Sequence, residues 1–156
     1  MNWSGIKHFS PQMDPKLGQS GVPGSAENMD REFMLKLDHA RDLANQVMTV
    51  NSGWRSVERE KQILAGKPGL IVPSMQGANP FSSHTSGHGV DISCVFARDR
   101  YLIIANAIAV GFVRMGFDPK LVPAALEAGI NRIGFDSVHV HLDDEPRLPA
   151  RVIWLE

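Results

Sequence analysis

Apolar residues return at helical spacing through the stretch 29–48, where Phe33, Leu37, Ala40, Ala44 and Val47 share one face and Asp38, Arg41, Asp42 and Asn45 are placed to face water. That period belongs to an amphipathic helix packed by a single stripe, and Asn28 or Asp30 can cap its start. Strand periodicity follows in two places. Val90, Ile92 and Cys94 alternate with Asp91 and Ser93, and Val138, Val140 and Leu142 alternate with His139, His141 and Asp143. Each segment therefore sends its apolar residues to one face and its ionisable residues to the other. A brief extended run at 47–51 leads into Ser52-Gly53-Trp54-Arg55, after which Ser56 can cap a short helix reaching Ala65. The stretch 98–115 reads as a second long helix, and 119–128 as a short one with Pro119 in its first turn.

Between these elements, residues 10–27 are rich in Ser, Pro, Gly and Gln without periodicity and predict an irregular segment lying across the surface. The stretch 66–83, with three prolines and three glycines, predicts a long loop. A chain of 156 residues fits one domain. The pattern predicts an α+β fold over 1–156 with a lead-in at 1–27: an antiparallel sheet, and the helices 29–48 and 98–115 packed on one of its faces.

Composition narrows the function. Apolar residues make up 43% and charged residues 21% of the chain, so a packed core needs no staples. Sixteen basic residues against 17 acidic ones nearly cancel, and no Lys/Arg stripe marks a nucleic-acid partner. The longest apolar stretch, 101–113, is interrupted by Asn106 and Gly111 and is too short to insert in a membrane. Met1 to Lys16 lacks the apolar run of a secretion signal. Cys94 stands alone, which rules out a multi-thiolate zinc site and suggests an inert core thiol.

Two clusters carry the chemistry: Ser82-Ser83-His84-Thr85-Ser86-Gly87-His88-Gly89-Val90-Asp91, and His139-Val140-His141. Catalytic zinc takes three protein ligands from His, Asp and Glu and keeps a fourth position for water. His84 and Asp91, on a turn-plus-strand unit whose glycines let the two converge, supply two of them. A histidine from the neighbouring strand supplies the third. Two neutral imidazoles and one carboxylate leave the site net positive, which acidifies a bound water towards neutrality. His8 and His39 read as ordinary surface or core residues, and His88 as a cleft-rim residue.

The same residues resemble a family. Ser82-x-His84-x-x-Gly87-x-Gly89-x-Asp91 is similar to the Ser-x-His-x-x-Gly-x-Ala-x-Asp signature of the D-alanyl-D-alanine metallopeptidases, which share a fold with lysostaphin-type peptidases and the hedgehog signalling domain. Ser52-Gly53-Trp54-Arg55-Ser56 resembles the family's Ser-Gly-Tyr-Arg-Ser, and Lys7-His8-Phe9-Ser10 the opening of its short phage- and prophage-borne members. Many short members end the motif with Phe-Val-His-Val-Asp; counted from Gly134, their histidine falls on His141, their aspartate on Asp143 and their phenylalanine on His139. The resemblance therefore implies His84, Asp91 and His141 as metal ligands and His139 as the catalytic helper. A second register makes His139 the ligand, with Asp136 three residues before it as the base.

What the resemblance implies further is a zinc-dependent hydrolase, one Zn²⁺ per chain, cutting a peptide bond near D-alanine in peptidoglycan stems. Arg55 then binds a substrate carboxylate or peptide carbonyl, although alone it reads as a helix cap or the partner of an acid. Ser82 binds substrate or starts the turn, and Asp143 hydrogen-bonds a ligand histidine. The chain is expected to act as a monomer on peptidoglycan peptides. Made in the cytoplasm without a secretion signal, it would reach the wall by a phage-type route or on a virion. The rival reading is a zinc-binding module of the same fold without catalysis, such as a phage structural protein.

Overall fold

The computed structural model describes residues 1–44, 47–65, 82–93, 125–135, 139–148 and 152–155. Helix α1 spans Arg31–Ala44. Its start is set by Asp30, whose carboxylate accepts the Phe33 amide at 2.9 Å, so the second of the two candidate caps is the one used. Phe33, Met34, Leu37 and Ala40 are buried along one face, and burial of each large side chain contributes about 1.5–3 kcal/mol. Asp38, placed towards water by its spacing, is buried instead. Its carboxylate accepts the amides of Lys7 at 3.1 Å and His8 at 2.8 Å, which satisfies the charge where it is desolvated.

Those bonds strap the lead-in onto the helix. Phe9 and Leu17 are fully buried, and the segment contains 3-10 turns at Pro15–Leu17 and Ser25–Asn28. The lead-in is thus part of the core, without the periodicity that would announce it.

Strand β1 is Val50–Ser52, and helix α2 is Val57–Ala65, whose first turn is capped by the Ser56 hydroxyl accepting the Arg59 amide at 3.2 Å. A single turn of helix, α3, covers Ser83–Ser86 and is followed by β2, Gly89–Ser93. Residues 125–127 are helical, in agreement with the end of the short helix expected at 119–128. Then come β3 (Arg132–Phe135), β4 (His139–Asp143) and β5 (Val152–Leu155). The loop expected at 66–83, up to residue 81, lies outside the described residues, as do the helix 98–115, Asn45, Cys94 and Asp136.

The sheet runs in the order β1-β2-β4-β3-β5. The first four strands pair antiparallel, while β5 adds to β3 in parallel, giving the expected α+β fold. Val90, Ile92, Ile133, Val140 and Leu142 share the core with the α1 stripe. The alternate residues of β2 and β4 face the other way, which is where the ionisable side chains gather. No helix among the described residues is long and apolar enough to cross a membrane.

Candidate metal centre

The β2–β4 register sets the first two donors. Asp91 stands directly opposite His141, and Ser93 opposite His139, so on one face a carboxylate is flanked by two imidazoles from a single neighbouring strand. Directly opposed residues lie about 4.5–5.5 Å apart at Cβ, close enough for their side chains to converge on one point. The Asp91 Oδ1 atom lies 2.9 Å from His141 Nδ1 and 3.5 Å from His139 Nε2.

His84 arrives from α3. Ser82 caps that turn by accepting the His84 amide at 3.3 Å, and Gly87 closes it in the left-handed region at φ 82°. A side chain at Gly87 would meet the Asn28 carbonyl oxygen at 2.3 Å, because this corner packs on the backbone leading into α1. The ring is then aimed by its far nitrogen: Nδ1–H donates to the Gly53 carbonyl at 2.7 Å, and Nε2 faces Asp91 Oδ1 at 3.3 Å. Gly53 must itself be glycine. Its Cβ would fall 2.3 Å from the Leu17 carbonyl oxygen, where the lead-in bonds the Gly53 and Trp54 amides through the Lys16 and Leu17 carbonyls at 2.8 Å each. The Trp54 indole donates to the Thr85 carbonyl at 3.2 Å. The Ser52–Ser56 motif is thus a cradle for the α3 turn.

His84, Asp91 and His141 each bring one donor atom within 4.8 Å of the other two, and these residues are only 4%, 6% and 6% exposed. Tetrahedral zinc with ligands about 2.0–2.1 Å away separates its donors by about 3.3 Å. The observed 3.3 Å between His84 and Asp91 fits that spacing. The outer nitrogens fit too. His141 turns Nε2 towards Asp143 Oδ2 and Ser83 Oγ, each 3.0 Å away, as His84 turns Nδ1 to Gly53. Such outer bonds leave the inner nitrogen for a metal. Asp143 is itself held by Arg132 Nε at 2.8 Å and by the Glu145 amide at 3.0 Å.

The electrostatics point the same way. Burial alone would push the Asp91 carboxyl up, but the His84 and His141 imidazoles beside it outweigh that and hold it well below the usual carboxylate range. Burial would lower His141, yet its hydrogen bonds to Asp143 and Asp91 carry it up to about 10. The face therefore draws positive charge to the inner side of Asp91, which a divalent cation supplies as well as a proton does. Ser83, His141 and Asp91 also line up at 3.0 and 2.9 Å like a serine relay. Ser83, however, is buried and bonds the nitrogen that Asp143 also bonds, so its part is to fix the ring.

Gly89, where the resembled signature has alanine, makes room for that serine: a Cβ here would sit 2.4 Å from Ser83 Oγ and 3.2 Å from His141 Cε1. Of the expected site residues, His84, Asp91, His139, His141 and Asp143 come together. Ser82 is at the α3 cap. Arg55 turns inward, its Nη2 on Asp91 Oδ2 at 3.2 Å and its Nη1 on Glu60 Oε2 at 3.0 Å. His88, partly exposed, pairs with Asp144 at 3.0 Å. His8 pairs with Asp42 at 2.6 Å on the surface. Ser83, Glu60, Arg132 and the Gly53 carbonyl complete the site without having been singled out by sequence.

No family model, curated protein or solved structure matches this chain. The likeness to the D-alanyl-D-alanine metallopeptidases rests on the motif residues themselves.

Proposed function

We propose that this protein is a zinc-dependent peptidase that hydrolyses a peptide bond near D-alanine in bacterial peptidoglycan stems. The observation that carries the reading is the convergence of three imidazoles on one carboxylate oxygen: His84 Nε2, His141 Nδ1 and His139 Nε2 all face Asp91 Oδ1, at 3.3, 2.9 and 3.5 Å. His84, Asp91 and His141 hold the ion. When bound there, zinc supplies Lewis acidity and a water acidified towards neutrality. His139 stands at the same oxygen with a side chain 13% exposed, more open than its two imidazole neighbours. From there it moves a proton to or from the reacting groups, or donates a hydrogen bond to the scissile carbonyl oxygen as that atom gains charge. Choosing peptidoglycan over other peptides rests on the family resemblance.

The test is a digest of purified peptidoglycan with protein reconstituted with zinc, its products read by mass spectrometry. New peptide termini at D-alanine, abolished by a chelator and restored by zinc, support the proposal. A protein that binds about one zinc per chain, the stoichiometry of a three-ligand site, yet releases no product belongs instead to the non-catalytic zinc modules.

A further inference from the structure

Among the described residues, Arg55 turns its guanidinium inward between two carboxylates. Its side chain is 13% exposed, and its two terminal nitrogens are engaged by Asp91 Oδ2 and Glu60 Oε2. Its Nε is buried and without a hydrogen-bond partner among the described residues. The two oxygens of Asp91 are therefore divided: Oδ1 faces the imidazoles and Oδ2 faces the guanidinium. The same residue also ties the backbone, since the Arg55 amide donates to the His84 carbonyl at 3.2 Å.

We infer that Arg55, braced by Glu60, is a positioning residue that keeps Asp91 a one-oxygen metal ligand, an inference that rests on the metal centre proposed above. An unbraced carboxylate rotates about its terminal bond and can offer both oxygens to a cation. A charge-assisted bond to Oδ2 withdraws one of them and fixes the plane of the other. It also drains electron density from the carboxylate, leaving a bound ion a stronger Lewis acid. A guanidinium one residue away from a dication is repelled by it, and this explains the burial of an acid on α2. Glu60 is buried at 3.0 Å from Arg55, and its negative charge offsets that repulsion within a region of low dielectric. Ser56 serves the arrangement by starting α2 so that Glu60, one turn on, returns beneath Arg55.

Cobalt(II) in place of zinc tests the inference, because its visible absorption reports coordination number. Arg55→Lys and Glu60→Gln are compared with wild type for cobalt and zinc affinity, visible spectrum and the melting temperature of the metal-free protein. The expected result is affinity weaker by about 10- to 100-fold, the usual cost of losing a residue that orients a ligand. A weaker visible band should accompany it as a second Asp91 oxygen joins the ion. Wild-type affinity and spectrum in both variants, with only KM raised, would make Arg55 a substrate clamp and overturn the inference while leaving the metal centre standing. A lowered metal-free melting temperature with an unchanged spectrum would make the pair merely structural and overturn it too. If wild type binds neither cobalt nor zinc, the metal reading itself fails and the inference falls with it. Glu60→Gln, nearly isosteric, carries the test should Arg55→Lys not fold.

Discussion

On one face of the β2–β4 ladder, Val90, Ile92, Val140 and Leu142 join the core shared with α1; on the other, Asp91, His139, His141 and Asp143 meet α3 and the Arg55 corner. The same few residues of backbone hold both. The apolar face is complete once it is out of water, since the hydrophobic effect has no direction and scales roughly with the area removed. The polar face is nearly as buried, and burying charge is unfavourable unless each group is paired. It is completed by partners from elsewhere: Gly53, Ser83, Arg132 and Arg55. The apolar face tolerates imprecision, whereas the polar face requires each partner in place.

The largest effect should come from His141→Ala, which removes one of the three proposed ligands. Zinc content measured by elemental analysis and activity should be lost together. His139→Ala should keep its zinc and lower kcat by roughly 10²- to 10⁴-fold, the scale of a positioned acid, base or oxyanion donor. If the two variants exchange behaviours, the other register is correct and Asp136 becomes the candidate base. A change on the opposite face, Leu142→Ala, should cost about 2–5 kcal/mol of folding stability. In protein that remains folded, denaturant titration should show that loss while zinc affinity stays near wild type. A marked loss of zinc affinity in folded Leu142→Ala would mean that the faces are not separable.

Gly89→Ala should cost less, about 1–3 kcal/mol as an overpacking change, but it should weaken zinc binding because the new methyl displaces Ser83 and, through it, His141. Adding Ser83→Gly removes the serine atoms in the way but also the hydroxyl that fixes the His141 ring, so affinity should recover only in part. Full recovery in isothermal titration would show that Ser83 only occupies space. The last effect lies beyond the end of β4. Burial would raise the Glu145 carboxyl, but bonds to Arg147 and Ser86 bring it down to about 2 from an ordinary 4.5. A carboxylate depressed in the folded state binds its proton more readily when unfolded. Its contribution is therefore full above about pH 4.5 and disappears as pH falls towards 2. Acid unfolding of wild type and Glu145→Gln should converge at the low end of that window and separate above it.

The contrast between faces also explains what the sequence made legible. Alternation in β2 and β4 could be read because each is five residues long and changes chemistry at every step. Asp91 and His141 were placed on one face by period alone, and the motif spacing added His84. Strand β3 was not legible: four residues, one of them glycine, hold too few periods, and Arg132 shows its value only beside Asp143. Strand β5 is equally short. Glu60 looks like an ordinary solvated charge on a short amphipathic helix until Arg55 folds back on it. Asp38 and the lead-in misled for a related reason: a carboxylate accepting distant backbone amides leaves no local pattern.

The contact between the lead-in and Gly53 has a consequence for the order of folding. Helix α1 can form from local contacts, but the His84 ring finds its orientation only after Leu17 has reached Gly53 and α3 has reached the Gly53 carbonyl. Closures over such separations are slow to accumulate because their entropy is lost before any contact offsets it. The donor set thus depends on long-range contacts and not on the first helix alone. A cation that binds it selects molecules that have completed the search, and shifts the equilibrium by mass action towards them. The Gly53 and Trp54 amides, bonded to the lead-in, then become natural reporters: their hydrogen exchange should slow as the ion is added, timing the opening of the whole centre.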